Sequence, residues 1–164
     1  SSDLLDMSEL QTIGRDETIA VDALVDEVMV DLEPLAQEKE IKLIGNCKDT
    51  TMVGSDILIY RMVYNLVENA IKYNHFGGQV TVTAYRKGKN ICLSVEDTGS
   101  GIPAELKERI FEPFFRVDKS RSRQLGGVGL GLALVHEIVR VHDGRITVQS
   151  SPSGGTIFEV VFTQ

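Results

Sequence analysis

The hydrophobic pattern changes period several times along the chain, and each change marks an element. Leu4, Leu5 and Leu10 have acids between them, so Ser1–Gln11 reads as the closing turns of a helix. Thr18–Val21 is a short strand. From Asp22 onward, Leu24, Val25, Val28, Met29, Leu32, Leu35 and Ala36 recur at i, i+3 and i+4 spacing. This predicts an amphipathic helix over about 22–39, with Asp22 as its N-cap. Ile41–Gly45 and Thr51–Val53 predict two short strands around a polar turn. Ser55 or Asp56 then caps a second helix, which runs to about Asn74 and is stopped by Gly77 and Gly78.

Beyond this point the period is two. Val80, Val82 and Ala84 alternate with polar residues, Lys87–Asn90 turns, and Ile91, Leu93 and Val95 alternate again, which predicts a hairpin. Pro103 opens a short helix with Glu105 in its first turn. Residues 116–127 lack periodicity and read as a loop. Val128–Val141 predicts a third long helix, closed by Gly144. Ile146–Gln149 and Thr156–Phe162 form a last hairpin around Ser151–Gly155. Long helices mixed with hairpins imply an α/β sandwich with one sheet face covered by helices.

Composition narrows the function. The chain has 164 residues, which suits one domain with its own core. Its formal net charge is −7, from 24 acids against 17 bases, which argues against sequence-independent nucleic-acid binding. No apolar run reaches the roughly 20 residues of a membrane helix. Two cysteines, Cys47 and Cys92, are too few for a disulfide framework and read as reduced packing residues. No basic, apolar signal segment opens the chain. It begins in mid-element, so residues 1–16 are expected to be the end of a preceding part of a longer protein.

Four places could carry chemistry. On the second helix, Asn65, Asn69 and Lys72 fall within roughly 60° of one another, with Tyr73 at the edge. Taken alone, this stripe fits a solvated face or a ligand wall. Asn oxygens are hard neutral ligands suited to magnesium, and Lys72 is a point charge for phosphate. The second place is Glu96–Ala104, directly after a strand. Gly99, Gly101 and Ala104 match a dinucleotide fingerprint, with Asp118 near the expected acid. That fingerprint requires parallel strands joined by a helix, whereas this strand belongs to a hairpin. An acid just before the first glycine, Asp97, instead suits a carboxylate that accepts the exocyclic amine of adenine.

The third place is Phe111-Glu-Pro-Phe114-Phe115-Arg116, followed by Lys119, Arg121 and Arg123. It reads either as an apolar patch beside a solvated loop, or as a lid with aromatic anchors and phosphate-seeking cations. The fourth is Gly126-Gly127-Val-Gly129-Leu130-Gly131-Leu132, whose amides and following helix suit an anion. It lacks the Gly-Lys-Ser/Thr of a Walker loop and the companion motifs of a protein kinase.

These segments, in this order and with Gly154-Gly-Thr156-Ile-Phe158 at the end, resemble the N, G1, F, G2 and G3 boxes of bacterial sensor histidine kinases. The resemblance covers about residues 17–163 and concerns the catalytic and ATP-binding domain, of the GHKL superfamily. It implies a Bergerat fold: a two-layer sandwich in which a mixed, mostly antiparallel sheet of about five or more strands packs against three helices. It divides the chain into a remnant of the dimerisation helix and linker, 1–16, and the ATP-binding domain, 17–164.

The resemblance also implies roles. Asn69 would hold magnesium with Asn65 beside it, and Lys72 and Tyr73 would touch phosphates or ribose. Asp97 would read adenine with Thr156, in a pocket that includes Gly99, Gly101 and Ile102. Phe114 and Phe115 would hinge a lid that begins at Arg116. Gly127, Gly129, Leu130, Gly131 and Leu132 would bind the phosphate end. Hydrolytic relatives carry a Glu four residues before the magnesium Asn; here that position is Asn65, which cannot take a proton near neutral pH. The implied reaction is therefore transfer of the γ-phosphoryl group from Mg-ATP to a histidine on a separate dimerisation domain, for relay to a response regulator. His75, His136 and His142 do not match the acceptor motif and read as structural. The parent protein is expected to be a homodimer anchored in the inner or plasma membrane, with this domain cytoplasmic and with no nucleic-acid partner. The alternatives are a nucleotide-binding interaction module without kinase activity, and a serine kinase of the anti-sigma type, which lacks the Phe box.

Overall fold

The computed structural model describes residues 7–115 and 131–164. In chain order it shows a 3-10 helix (Met7–Thr12), β1 (Glu17–Ala20), α1 (Val21–Glu38), β2 (Lys42–Cys47), β3 (Thr51–Gly54) and α2 (Asp56–Lys72). There follow β4 (Gln79–Lys87), β5 (Asn90–Asp97), a 3-10 turn (Ala104–Leu106), α3 (Gly131–Val141), β6 (Arg145–Ser150) and β7 (Thr156–Thr163). The main sheet has five strands in the order β2-β4-β5-β7-β6. β2 and β4 are parallel, and the other pairs are antiparallel. β1 and β3 form a separate antiparallel pair, with Glu17 opposite Gly54 and Ala20 opposite Thr51.

One face of the main sheet is apolar because alternate residues point the same way. Val80, Val82, Ala84, Ile91, Leu93, Val95, Phe158, Val160 and Phe162 are all buried against the helices. Ile59, Met62, Val63 and Leu66 of α2, and Val135 and Ile138 of α3, supply the facing layer. This is the expected two-layer sandwich, with three α-helices among the described residues. Met7–Thr12 joins the same core through Leu10, which is 0% exposed.

Several local expectations change. Asp22 does not cap α1. Ala20 holds that position without a side-chain bond, and Val21 gives its N–H to the Thr50 carbonyl at 2.8 Å. Asp22 lies in the first turn, where a negative charge suits the helix dipole. Ser55 does cap α2, its hydroxyl accepting from Leu58 N at 3.3 Å. The strands expected around one polar turn, β2 and β3, belong to different sheets. At the end of α3 the left-handed residue is Asp143 (φ 56°), not Gly144. Asp143 N bonds the Arg140 carbonyl and Gly144 N bonds the Val139 carbonyl, which closes the helix with a paired motif. Gly144 is needed for a different reason: a Cβ there would stand 2.7 Å from the Phe162 ring. Both cysteines are free.

Candidate functional site

The site grows from the C-terminal ends of α2 and β5. Asp97 closes β5 and is only 7% exposed. Its Oδ1 accepts from Gly99 N at 2.8 Å and from Thr156 N at 3.3 Å. Burial pushes this carboxyl above its ordinary range, the two N–H bonds oppose that shift, and the neighbouring Glu96 charge adds to it. Both bonds from the described residues end on Oδ1, so the second oxygen retains its lone pairs for a donor outside the protein.

Backbone crowding explains the glycines around this carboxyl. A Cβ on Gly99 would stand 2.6 Å from the Tyr73 carbonyl oxygen, and one on Gly155 would stand 2.0 Å from the Asp97 carbonyl oxygen. The turn after β5 therefore lies directly on the end of α2, while the β6–β7 turn presses on Asp97 from the other side. Gly101 adopts a left-handed φ of 78°, and Ile102 is half-buried against the core.

On α2, Asn65 is 5% exposed and its Nδ2 donates to the Gly131 carbonyl at 3.5 Å. That contact joins α2 to the first residue of α3 and uses one of the amide's two N–H donors; the Asn65 carbonyl oxygen remains an acceptor. Asn69, Lys72 and Tyr73 are half-buried, and Lys72 lies 3.7 Å from Glu68, one turn back. The end of α2 is held by Lys39, whose Nζ donates to the carbonyls of Ile71 (3.2 Å), Lys72 (2.9 Å) and Asn74 (2.7 Å). A cation on the last carbonyls also suits the negative end of the helix dipole.

The aromatic segment places its three rings in different surroundings. Phe111 packs edge-on against Phe158, with ring centres 6.2 Å apart, and lies 5.4 Å from His136. Phe115 carries the Arg109 guanidinium 4.6 Å above its ring. Phe114 is 68% exposed in a left-handed conformation (φ 65°). The inward anchors are thus Phe111 and Phe115.

A family model described as "Histidine kinase-, DNA gyrase B-, and HSP90-like ATPase" matches residues 54–164. The chain belongs to that family. The sensor-like histidine kinase SenX3 of Mycobacterium tuberculosis is 38% identical over 161 residues, covering 96% of this chain and 39% of that protein. The adaptive-response sensory kinase SasA of Crocosphaera subtropica is 42% identical over 135 residues, 80% of this chain and 35% of that protein. The chain spans about two-fifths of the length of the SenX3 proteins it matches. The catalytic domain of histidine kinase ThkA superposes with a TM-score of 0.81 at 27% identity, over 92% of this chain and 96% of that one.

In this member of the ATPase family, the structure brings Asp97, Gly99 and Thr156 together, sets them against Tyr73, and joins Asn65 to Gly131. Leu132 is half-buried beside Gly131. Arg116, Gly127, Gly129 and Leu130 lie outside the described residues, as do Asp118, Lys119, Arg121, Arg123 and the expected loop over 116–127. The dinucleotide fingerprint fails on topology: β5 lies between antiparallel neighbours and is followed by a 3-10 turn. His75 and His136 are exposed, whereas His142 is tied into the fold: its Nε2 accepts from Ser55 N at 3.0 Å. Among the described residues no helix is long and apolar enough to cross a membrane.

Proposed function

We propose that this chain binds Mg-ATP and passes the γ-phosphoryl group to a histidine on a separate dimerisation domain of a longer protein, for relay to a response-regulator aspartate. The observation that carries the reading is the buried Asp97 carboxyl. One of its oxygens is fixed by two backbone N–H groups, and the other remains able to accept from the amine of adenine. A keto base offers no such donor there, so the same carboxyl rejects it.

The remaining residues divide the nucleotide between them. Gly99, Gly101, Ile102 and Thr156 would surround the base. Lys72 and Tyr73 would meet phosphates or ribose, and the segment with Arg116, Gly127, Gly129, Leu130, Gly131 and Leu132 would enclose the phosphate end. The donor chemistry of α2 fits magnesium: the amide oxygens of Asn69, and of Asn65 beside it, are hard and neutral. When bound, the ion would neutralise charge on the transferring phosphate. Neither amide can deprotonate water near neutral pH. The site therefore suits transfer to an outside nucleophile that brings its own reactivity, rather than hydrolysis.

The names of the relatives support the wider setting. SenX3 and SasA are sensor kinases, and ThkA has been solved in complex with its response regulator TrrA. On that basis the longer protein is proposed to be a homodimer anchored in the inner or plasma membrane, with this domain in the cytoplasm and residues 1–16 leading from the dimerisation helix. Titration calorimetry tests the binding step. ADP and Mg-ATP should bind in the micromolar to sub-millimolar range, ATP only weakly without magnesium. Heat traces without any ADP binding would overturn the proposal.

A further inference from the structure

Between the Asp97 turn and α2 lies a polar latch that the nucleotide contacts do not themselves require. Asn74, the second residue after α2, is 1% exposed. Its Nδ2 donates to the Gln79 carbonyl at 2.9 Å, and its Oδ1 accepts from His75 N at 2.8 Å and from the Thr98 hydroxyl at 3.1 Å. The Thr98 oxygen in turn accepts from Gln79 N at 2.9 Å, and Thr98 N donates to the Gln79 carbonyl at 3.2 Å. Gly78 has to lack a side chain here, because a Cβ would lie 2.3 Å from Asn74 Oδ1. From behind, Lys39 Nζ holds the Asn74 carbonyl at 2.7 Å.

Thr98 sits between Asp97, whose carboxyl would read the base, and Gly99, whose N–H holds that carboxyl. A side chain at Thr98 that grips Asn74 therefore fixes the position of the carboxyl relative to α2, which carries Lys72 and Tyr73. We infer that Asn74 and Thr98 are positioning residues for recognition of the adenine amine: the Thr98–Asn74 hydrogen bond sets the carboxyl at the distance from α2 that an adenine nucleotide requires. The inference rests on the proposed role of Asp97. The physical warrant is buried polar pairing. The Thr98 hydroxyl has one proton to give, and the Asn74 amide oxygen at 3.1 Å is a closer acceptor than the Gln79 carbonyl at 3.5 Å, while the hydroxyl oxygen accepts from Gln79 N. Without the hydroxyl the Asn74 oxygen loses a bond at a nearly fully buried residue, while the exposed Gln79 N–H can turn to water, so the turn shifts to pair the buried oxygen. Displacements of about 1 Å at a recognition site can cost on the order of a hundredfold.

The test compares ADP with inosine diphosphate, which lacks the amine, by calorimetry on the wild type, Thr98→Val and Thr98→Ser. Valine keeps the shape and removes the hydroxyl, while serine keeps the hydroxyl. ADP affinity should fall about tenfold in Thr98→Val while inosine diphosphate affinity stays within about twofold, and Thr98→Ser should restore ADP binding. Thermal melting checks folding, and Thr98→Ala replaces the valine variant if that one does not fold. Unchanged ADP affinity in a folded Thr98→Val protein would overturn the inference and leave the Asp97 reading standing. Equal losses for both nucleotides, or no recovery with serine, would also overturn it, because a merely structural role weakens both. A wild type that does not prefer ADP would overturn the Asp97 reading and this inference with it.

Discussion

The Ser55 backbone N–H donates to Nε2 of His142 at 3.0 Å, joining the start of α2 to the end of α3. The other ring nitrogen, Nδ1, lies 2.8 Å from the Ile138 carbonyl, so it carries the proton and the ring is neutral. The ring also packs edge-on to Phe162 and comes so close to Gly54 that a Cβ there would meet it at 2.9 Å. Burial lowers the His142 pKa, the Arg15 charge adds to this, and the Ile138 bond and the Asp143 charge oppose it.

A pH dependence follows. Because the folded pKa lies below the ordinary 6.5, the unfolded chain takes up the proton first as pH falls. Stability from this group is whole above pH 6.5 and is lost progressively below it, down to the folded value. Thermal melts of wild type and His142→Gln between pH 8 and 5 should converge as pH falls. Parallel curves would show that the ring does not titrate with folding.

Asp97 gives the opposite sign. Its folded pKa is raised, so its charged form costs stability as pH rises through that value. Asp97→Asn keeps an oxygen for the Gly99 and Thr156 N–H groups and removes the buried charge. The variant should melt higher than wild type at pH 7, with the gain shrinking toward pH 3. It should also lose selectivity for ATP over GTP. A lower melting temperature with selectivity intact would contradict both assignments.

Asn69→Ala should abolish magnesium-dependent ATP binding and phosphoryl transfer and leave the fold in place, since the side chain is only half-buried. Melting within a degree or two of wild type, together with loss of activity, is the expected result; full activity would refute a role at the metal.

Leu10 measures whether the N-terminal segment belongs to the domain. Its side chain is wholly buried in the common core, so Leu10→Ala should cost about 2–5 kcal/mol in denaturant unfolding. A cost under about 0.5 kcal/mol would mean that Met7–Thr12 does not dock in solution.

Periodicity located the long elements to within a few residues because their cores are local. The helix over about 22–39 is α1, and the alternation from Val80 to Val95 is the β4–β5 hairpin. What periodicity could not locate depends on contacts distant in sequence. β2 finds a parallel partner in β4, across the whole of α2, and β3 turns back to β1. The site splits in the same way. Asp97, Gly99 and Asn65 are legible because their spacing and chemistry are unusual for a strand end and a helix interior. Lys39 and Asn74 are not, because a lysine after a helix and an asparagine at a helix end are ordinary until the fold brings three carbonyls and a threonine to them. His142 directly follows a helix, and nothing nearby in sequence announces that Gly54 leaves room for its ring. A signal for Asn74 does exist: it directly follows the Asn65–Tyr73 stripe and precedes the glycine pair.

Phosphoryl transfer to a histidine can be measured directly. The chain is mixed with γ-labelled ATP, magnesium and a separately produced dimerisation domain that carries the proposed acceptor histidine. Acid-labile, base-stable phosphate should appear on that domain, dependent on magnesium and absent with Asn69→Ala, with negligible release of free phosphate by the chain alone. Rapid phosphate release without labelling of the partner would contradict such transfer and assign the chain to the hydrolysing branch of its family.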